Sequence, residues 1–214
     1  MTSTQSTQEI VLLENVRLSY VYAFDPYVGR NDAGKETRSY GAHGIMTLDH
    51  PSLAKVKAAQ RKVAQAAWPS NWEAVLTQLA AQDRLCLHDG NVSKMGQEAY
   101  KDRYYVSANG KTKPNIVTTR NGVNVTIEKN DPNAPYSGAW GNMIVAIYAQ
   151  SPDGKPSQYG KRINAQLTGI QLVKHDEAFG GGGKVAKPDE FPIVAGADAD
   201  GAAPAAASAS SGLI

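Results

Sequence analysis

From Asp83 to Val173 the chain alternates short apolar stretches with turn clusters so regularly that few folds other than a small β-barrel or β-sandwich accommodate it. Segments 84–88, 103–108, 116–119, 123–128, 141–150 and 161–173 have extended-chain patterning. Between them stand Asp89-Gly90-Asn91, Asn109-Gly110-Lys111, Asn121-Gly122, Asn130-Asp131-Pro132-Asn133 and Pro152-Asp153-Gly154. A closed barrel hides most strand edges, and a five-stranded Greek-key barrel interrupted by helices fits this length.

Upstream, the expectation is two strands and then two helices. Residues 9–24 open with Ile10-Val11-Leu12-Leu13 and continue with Val16, Leu18, Tyr20 and Tyr22 on alternate positions, the period of a half-buried strand. Asp25-Pro26-Tyr27 and the glycine-containing stretch to Gly34 read as a polar loop, and an extended pattern resumes over 37–48. Asp49-His50-Pro51-Ser52 is a helix-start signal. Leu53, Val56, Gln60, Val63, Ala64 and Ala67 follow at helical spacing to about Trp68, with Lys55, Lys57, Arg61 and Lys62 on the outer face. Pro69-Ser70-Asn71 breaks this helix and caps a second one from Trp72 to Ala81, so both helices form an insertion between strands.

Composition changes at Gly180-Gly181-Gly182-Gly183, after which Ala, Gly, Ser and Pro dominate. The expected organisation is a flexible N-terminus over 1–8, one mainly β domain over 9–179, and a disordered, weakly acidic Gly/Ala-rich tail over 180–214. All 22 lysines and arginines lie at or before Lys187. Four of the 20 acids, Asp189, Glu190, Asp198 and Asp200, follow it, which leaves +6 on residues 1–187 and −4 on residues 188–214. A basic body suits a polyanion but serves solubility equally.

Several function classes lose support. The opening residues have no signal-peptide pattern and no apolar run is long enough to span a bilayer, so the expected location is a cytoplasm. Cys86 alone makes no internal disulfide. His43, His50, His88 and His175 lack zinc-ligand spacing, and Cys86-Leu87-His88 reads as strand residues near the core. Gly180-Gly181-Gly182-Gly183-Lys184 has Val185 where a phosphate-binding loop needs Ser or Thr. Asp89 with Asp102 is the nearest approach to a catalytic carboxylate pair, and no cluster surrounds it. No enzyme, cofactor or metal is expected.

Binding of single-stranded nucleic acid needs cations along the phosphates, aromatic faces for bases and loops that let the backbone approach. The stretch from Lys94 through Tyr100, Lys101 and Arg103 to Tyr104-Tyr105 interleaves basic and aromatic residues. Lys111 and Lys113 follow in a turn, and Tyr136, Trp140, Tyr159, Lys161 and Arg162 repeat the mixture. Tyr104 and Tyr105 alternate in a strand, so at least one is expected to meet solvent or ligand.

Several segments together resemble a family of phage single-stranded DNA-binding proteins, once described only as a domain of unknown function and related in fold to podophage replication proteins. They are Leu87-His88-Asp89-Gly90-Asn91, Tyr104-Tyr105-Val106-Ser107-Ala108, Lys113-Pro114, Pro135-Tyr136-Ser137-Gly138-Ala139-Trp140-Gly141, Ala165 to Val173, and Phe179-Gly180-Gly181-Gly182. The resemblance implies an OB-fold that binds single-stranded DNA largely without sequence preference in phage replication, recombination or repair. It also implies a homodimer and an acidic tail that contacts phage or host replication proteins. The tail departs from the podophage pattern: it ends Ser211-Gly212-Leu213-Ile214, without a dense acidic run closed by an aromatic. On this reading Lys94, Lys101, Arg103, Lys111, Lys113, Lys161 and Arg162 contact phosphates, and Tyr100, Tyr105, Tyr136 and Trp140 stack on bases. The alternative is a phage head or tail protein without nucleic-acid binding, for which a barrel with an Ala-rich tail also serves.

Overall fold

The first strand, β1 (Gln8–Arg30), changes the face it buries twice along its length. In this computed structural model, which describes residues 8–31 and 34–179, β1 sends Val11 and Leu13, then Val16 and Leu18, then Ala23 into the core. Each change of parity coincides with a break in ladder register, between Leu13 and Val16 against one neighbour and between Ser19 and Tyr22 against the other. Asn15 and Tyr20 sit at these breaks with φ of 50° and 48°. One extra residue in a strand carries every later side chain to the opposite face. Tyr20 and Tyr22 therefore point outward, not into the core that strict alternation with Val16 and Leu18 assigns them. The expected loop at Asp25-Pro26-Tyr27 is strand as well, irregularly paired, and Gln8 already belongs to β1.

β1 pairs with β2 (Glu36–Thr47), and the helical insertion follows. Helix α1 (Pro51–Ala67) starts where His50 accepts a hydrogen bond at Nδ1 from the Ser52 amide at 3.1 Å, and it ends at Trp68. Its buried face, with Leu53, Val56, Ala59 and Val63, joins the barrel core, and the fully buried Trp68 donates from Nε1 to the Ser151 carbonyl at 3.0 Å. Helix α2 (Trp72–Ala81) begins after Asn71, whose side chain makes no cap bond. The strand expected over 84–88 is shorter and later, β3 (Leu87–Asp89). The one-turn helix α3 (Gly90–Ser93) and a 3-10 turn at Glu98–Tyr100 then lead to β4 (Arg103–Gly110).

β5 (Asn115–Arg120) and β6 (Val123–Thr126) form a hairpin, followed by β7 (Trp140–Gln150) and β8 (Arg162–Lys174). Five strands close on themselves in the cycle β1-β2-β4-β8-β7-β1. All neighbours are antiparallel except β4 and β8, which run parallel and meet at Ala108 and Ala165. β3 extends the free end of β4, and the β5–β6 hairpin attaches to β8 through a parallel pairing. This is the mainly β Greek-key barrel of the OB class, with the helices between its second and third strands. The residues expected to form the tail, 180–214, lie outside the described residues, as do 1–7. Among the described residues no helix is long and apolar enough to cross a membrane.

Candidate nucleic-acid interface

The outer face of β1, β2, β4 and β3 carries aromatic rings in register. Tyr22 stands opposite Gly41 and Gly41 opposite Asn109; Ser19 stands opposite His43 and His43 opposite Ser107; Ile45 and His88 both flank Tyr105. The His43 and Tyr105 rings stack with centroids 4.8 Å apart, Tyr105 and His88 with centroids 4.9 Å apart, and Tyr20 tilts against His43 at 4.9 Å. Four rings from four strands thus form one ladder across the sheet.

Its open end is a groove of about 280 Å³ lined by Tyr20, Tyr22, Tyr27, His43, Lys94 and Asn109. Tyr20, Tyr22 and Tyr27 are 39%, 38% and 53% exposed, large aromatic surfaces left in water. The Lys94 ammonium sits 4.5 Å from the Tyr20 ring centroid. Gly41 lets the neighbouring strand lie close: a Cβ there would stand 2.4 Å from Asn109 Oδ1 and 3.0 Å from the Ala108 carbonyl. Asn109 also borders a second, more polar hollow of about 240 Å³, which His88, Ser107, Arg162 and Asn164 line. The Arg162 Nε is buried there without a hydrogen-bond partner.

Burial disfavours charge on His43, Tyr100 and Tyr105. Burial, with help from Lys94 and His88, pushes the His43 imidazole down to about 3, and its Nδ1 lies 2.9 Å from the Tyr100 hydroxyl. Burial pushes the Tyr100 and Tyr105 hydroxyls up. Burial also works against ionisation of Asp83, but hydrogen bonds from His88 and Ser93, each at 2.7 Å, prevail and hold its carboxyl below the usual range.

The structure separates the residues that sequence pattern groups together. Lys94 lines the groove, and Lys101 lies with it along the adjoining α3 segment. Lys111 and Lys113 are exposed in the turn after β4, where the Lys113 ammonium is 5.6 Å from the Phe24 ring, and Arg103 is half-buried at the start of β4. Tyr100 and Tyr105 correct the expectation of open stacking faces: at 1% and 4% exposure they form a small apolar cluster with Ile45, in which Tyr105 is a covered ring of the ladder and Tyr100 packs edge-on against it. Of the Tyr104-Tyr105 pair it is Tyr104 that keeps exposure, on the side facing the helices.

Tyr136 and Trp140 stand elsewhere, clasping residues 175–179. Trp140 Nε1 donates to the Asp176 carboxylate at 2.7 Å, the Tyr136 hydroxyl bonds the Asp176 backbone carbonyl at 2.8 Å, and Arg17 forms an ion pair with Asp176. Lys161 pairs with Asp153 at 3.2 Å and lies 5.3 Å from the Trp68 ring. Asp89 and Asp102 serve local turns: the Asp89 carboxylate accepts from the Asn91 amide and the Asn91 side chain accepts from the Asp102 amide. The sequence reading missed Tyr20, Tyr22, Tyr27 and His43, and the one local sign was three tyrosines within eight residues of a single strand.

A closed five-stranded barrel with an aromatic and cationic groove on its outer sheet face defines an OB-type binding module. The family model described as the single-stranded DNA-binding protein of Enterobacter phage Enc34 matches residues 9–202. The chain belongs to that family. It is similar to protein p50 of Acyrthosiphon pisum secondary endosymbiont phage 1, 29% identical over 184 residues that span 85% of this chain and 91% of that protein. Its fold is similar to the bacteriophage Enc34 single-stranded DNA-binding protein solved in complex with single-stranded DNA, with a TM-score of 0.62, 22% identity and coverage of 80% of this chain and 89% of that one. It is also similar to gp2.5, the single-stranded DNA-binding protein of bacteriophage T7, with a TM-score of 0.50, 14% identity and coverage of 95% and 100%.

Proposed function

We propose that this chain is a non-enzymatic single-stranded DNA-binding protein that coats and protects exposed strands in phage DNA replication, recombination or repair. Family membership and the barrel support this reading, and the observation that carries it to a site is the groove of Tyr20, Tyr22, Tyr27 and Lys94. Bases stack on the exposed tyrosine rings, which is tolerant of sequence because every base has a π-face. Lys94, Lys101, Lys111, Lys113 and Arg162 serve the phosphates along the rim. Tyr105 serves as a covered ring of the ladder that Tyr100 braces edge-on, and no bond is made or broken.

The test is fluorescence anisotropy of labelled oligothymidylate with unlabelled single- and double-stranded competitors. The expected result is salt-sensitive binding that prefers single strands and weakens in Tyr20→Ala, Tyr22→Ala and Lys94→Ala. Absence of binding at low salt overturns the function. Binding that none of the three substitutions alters overturns the groove while leaving the function standing.

A further inference from the structure

A hollow larger than either of those beside the aromatic ladder lies away from it. It occupies about 570 Å³ between α1, α2 and the β3–β4 pair. Its lining is mostly apolar, with Leu76 and Ala80 from α2, Leu85 from the connection that follows, Leu87 from β3, Val92 from α3 and Tyr104 from β4. Val92 is 68% exposed, and this volume lies in the range of ordinary ligand pockets, roughly 300–1,000 Å³. Because side chains alternate along β4, Tyr104 faces this hollow while Tyr105 belongs to the ladder on the other side of the sheet.

The charges at its rim are unequal in use. Asp83 is committed to His88 and Ser93, and Asp89 accepts from the Asn91 amide that opens α3. Lys57 and Arg61, one helical turn apart on α1, are exposed and form no ion pair among the described residues, whereas Lys55 and Lys62 on the same helix pair with Glu14 and Glu9. An apolar floor edged on α1 by two unpaired cations, while Asp83 and Asp89 on the segment after α2 already accept hydrogen bonds, is complementary to a segment whose carboxylates lie against α1 and whose apolar side chains rest on the floor. A nucleic-acid strand fits poorly, since the Lys57 ammonium, 5.5 Å from the Tyr104 ring centroid, covers the aromatic face on which a base would stack.

We propose that this hollow is a docking site for a short acidic–apolar segment of another protein, whose carboxylates meet Lys57 and Arg61 and whose apolar side chains rest on Leu76, Leu87 and Val92. The site lies on the opposite side of β4 from the ladder, so a partner and a bound strand are held together. This inference does not rest on the assignment of the DNA groove.

The experiment selects a displayed random heptapeptide library on the full-length protein. The leading sequence is then measured as a fluorescein-labelled peptide, with labelled oligothymidylate titrated in parallel. The expected result is enrichment of peptides combining Asp or Glu with Leu, Ile or Phe. Their affinity should fall about tenfold or more in Lys57→Glu/Arg61→Glu and in Val92→Asp, while oligothymidylate affinity is retained in Val92→Asp, which alters no cation. No enrichment, enrichment of peptides without acids, or binding indifferent to these substitutions overturns the proposal. Tighter binding by a synthetic peptide of residues 187–196 than by any selected sequence also overturns it, and assigns the hollow to the chain's own tail instead.

Discussion

Tyr20 holds its ring in water at the cost of a left-handed backbone, φ 48°, which bulky residues rarely adopt. Strain of this kind persists only where the surrounding pairing enforces it, and here it aims an aromatic face beside Lys94. Replacing Tyr20 or Tyr22 by alanine should cost about 1–3 kcal/mol of oligothymidylate binding with little change in melting temperature, read by anisotropy and thermal melts. His43 has a different role, because the folded protein keeps it neutral down to about pH 3. In the unfolded chain the same imidazole takes a proton below about pH 6.5, so between these values the unfolded state holds more protons and stability rises with pH. The contribution is complete above the unfolded value and is lost as pH falls toward the folded one. His43→Gln should therefore lose less melting temperature than the parent between pH 7 and pH 4.5, and equal losses would show that burial of His43 carries no such linkage.

At the scale of elements, the turn between β3 and β4 depends on Gly90. A Cβ there would lie 2.1 Å from the Tyr100 carbonyl oxygen and 2.9 Å from that of Arg103, both backbone atoms that no side-chain rotation relieves. Gly90→Ala should destabilise by about 1–3 kcal/mol in urea denaturation through overpacking. Gly122, at φ +77° with nothing within 4 Å of an added methyl, provides the contrast: alanine there costs only the left-handed conformation, about 1–2 kcal/mol, with no clash. Because the segment from Gly90 to Tyr100 both carries Lys94 and roofs the Ile45–Tyr105 cluster, Gly90→Ala should also weaken DNA binding. A fold-only effect would leave affinity unchanged at temperatures well below the melt.

For the whole molecule the governing term is charge. Residues 1–179 carry a net +4, and with Lys94 in the groove the protein should release counterions when it neutralises phosphates. With about five phosphate contacts to single strands, the log–log plot of affinity against salt should have a slope of about −3.5, and a slope near zero would remove phosphate neutralisation from the mechanism. Intrinsic tryptophan fluorescence is a poor reporter of this event. Trp68 is fully buried, Trp72 packs partly buried against the core at the start of α2, and Trp140 is committed to Asp176 with Arg17 and Lys174 beside its ring at 5.4 and 5.1 Å. Trp140→Phe should shift the melting temperature through loss of its bond to Asp176 and leave oligothymidylate affinity unchanged.

Local chemistry was readable in the residues themselves. Turn clusters marked nearly every strand end, His50-Pro51-Ser52 marked the start of α1, and the spacing of Leu53, Val56 and Val63 marked its buried face, because each of these signals is complete within a few residues. The barrel class and the insertion of helices after the second strand followed from them. Which aromatics face outward did not, since that depends on strand parity, and parity in β1 changes at Asn15 and Tyr20 through pairing with β7 and β2, partners distant in the chain. Tyr100 and Tyr105 have the composition of a binding motif yet are covered by packing, whereas Tyr20, Tyr22 and Tyr27, which match the pattern of an ordinary strand and loop, are exposed. Sequence alone thus determined the elements and the kind of surface required. Only closure of the barrel decided which rings line it, because a single inserted residue exchanges the two faces of a strand.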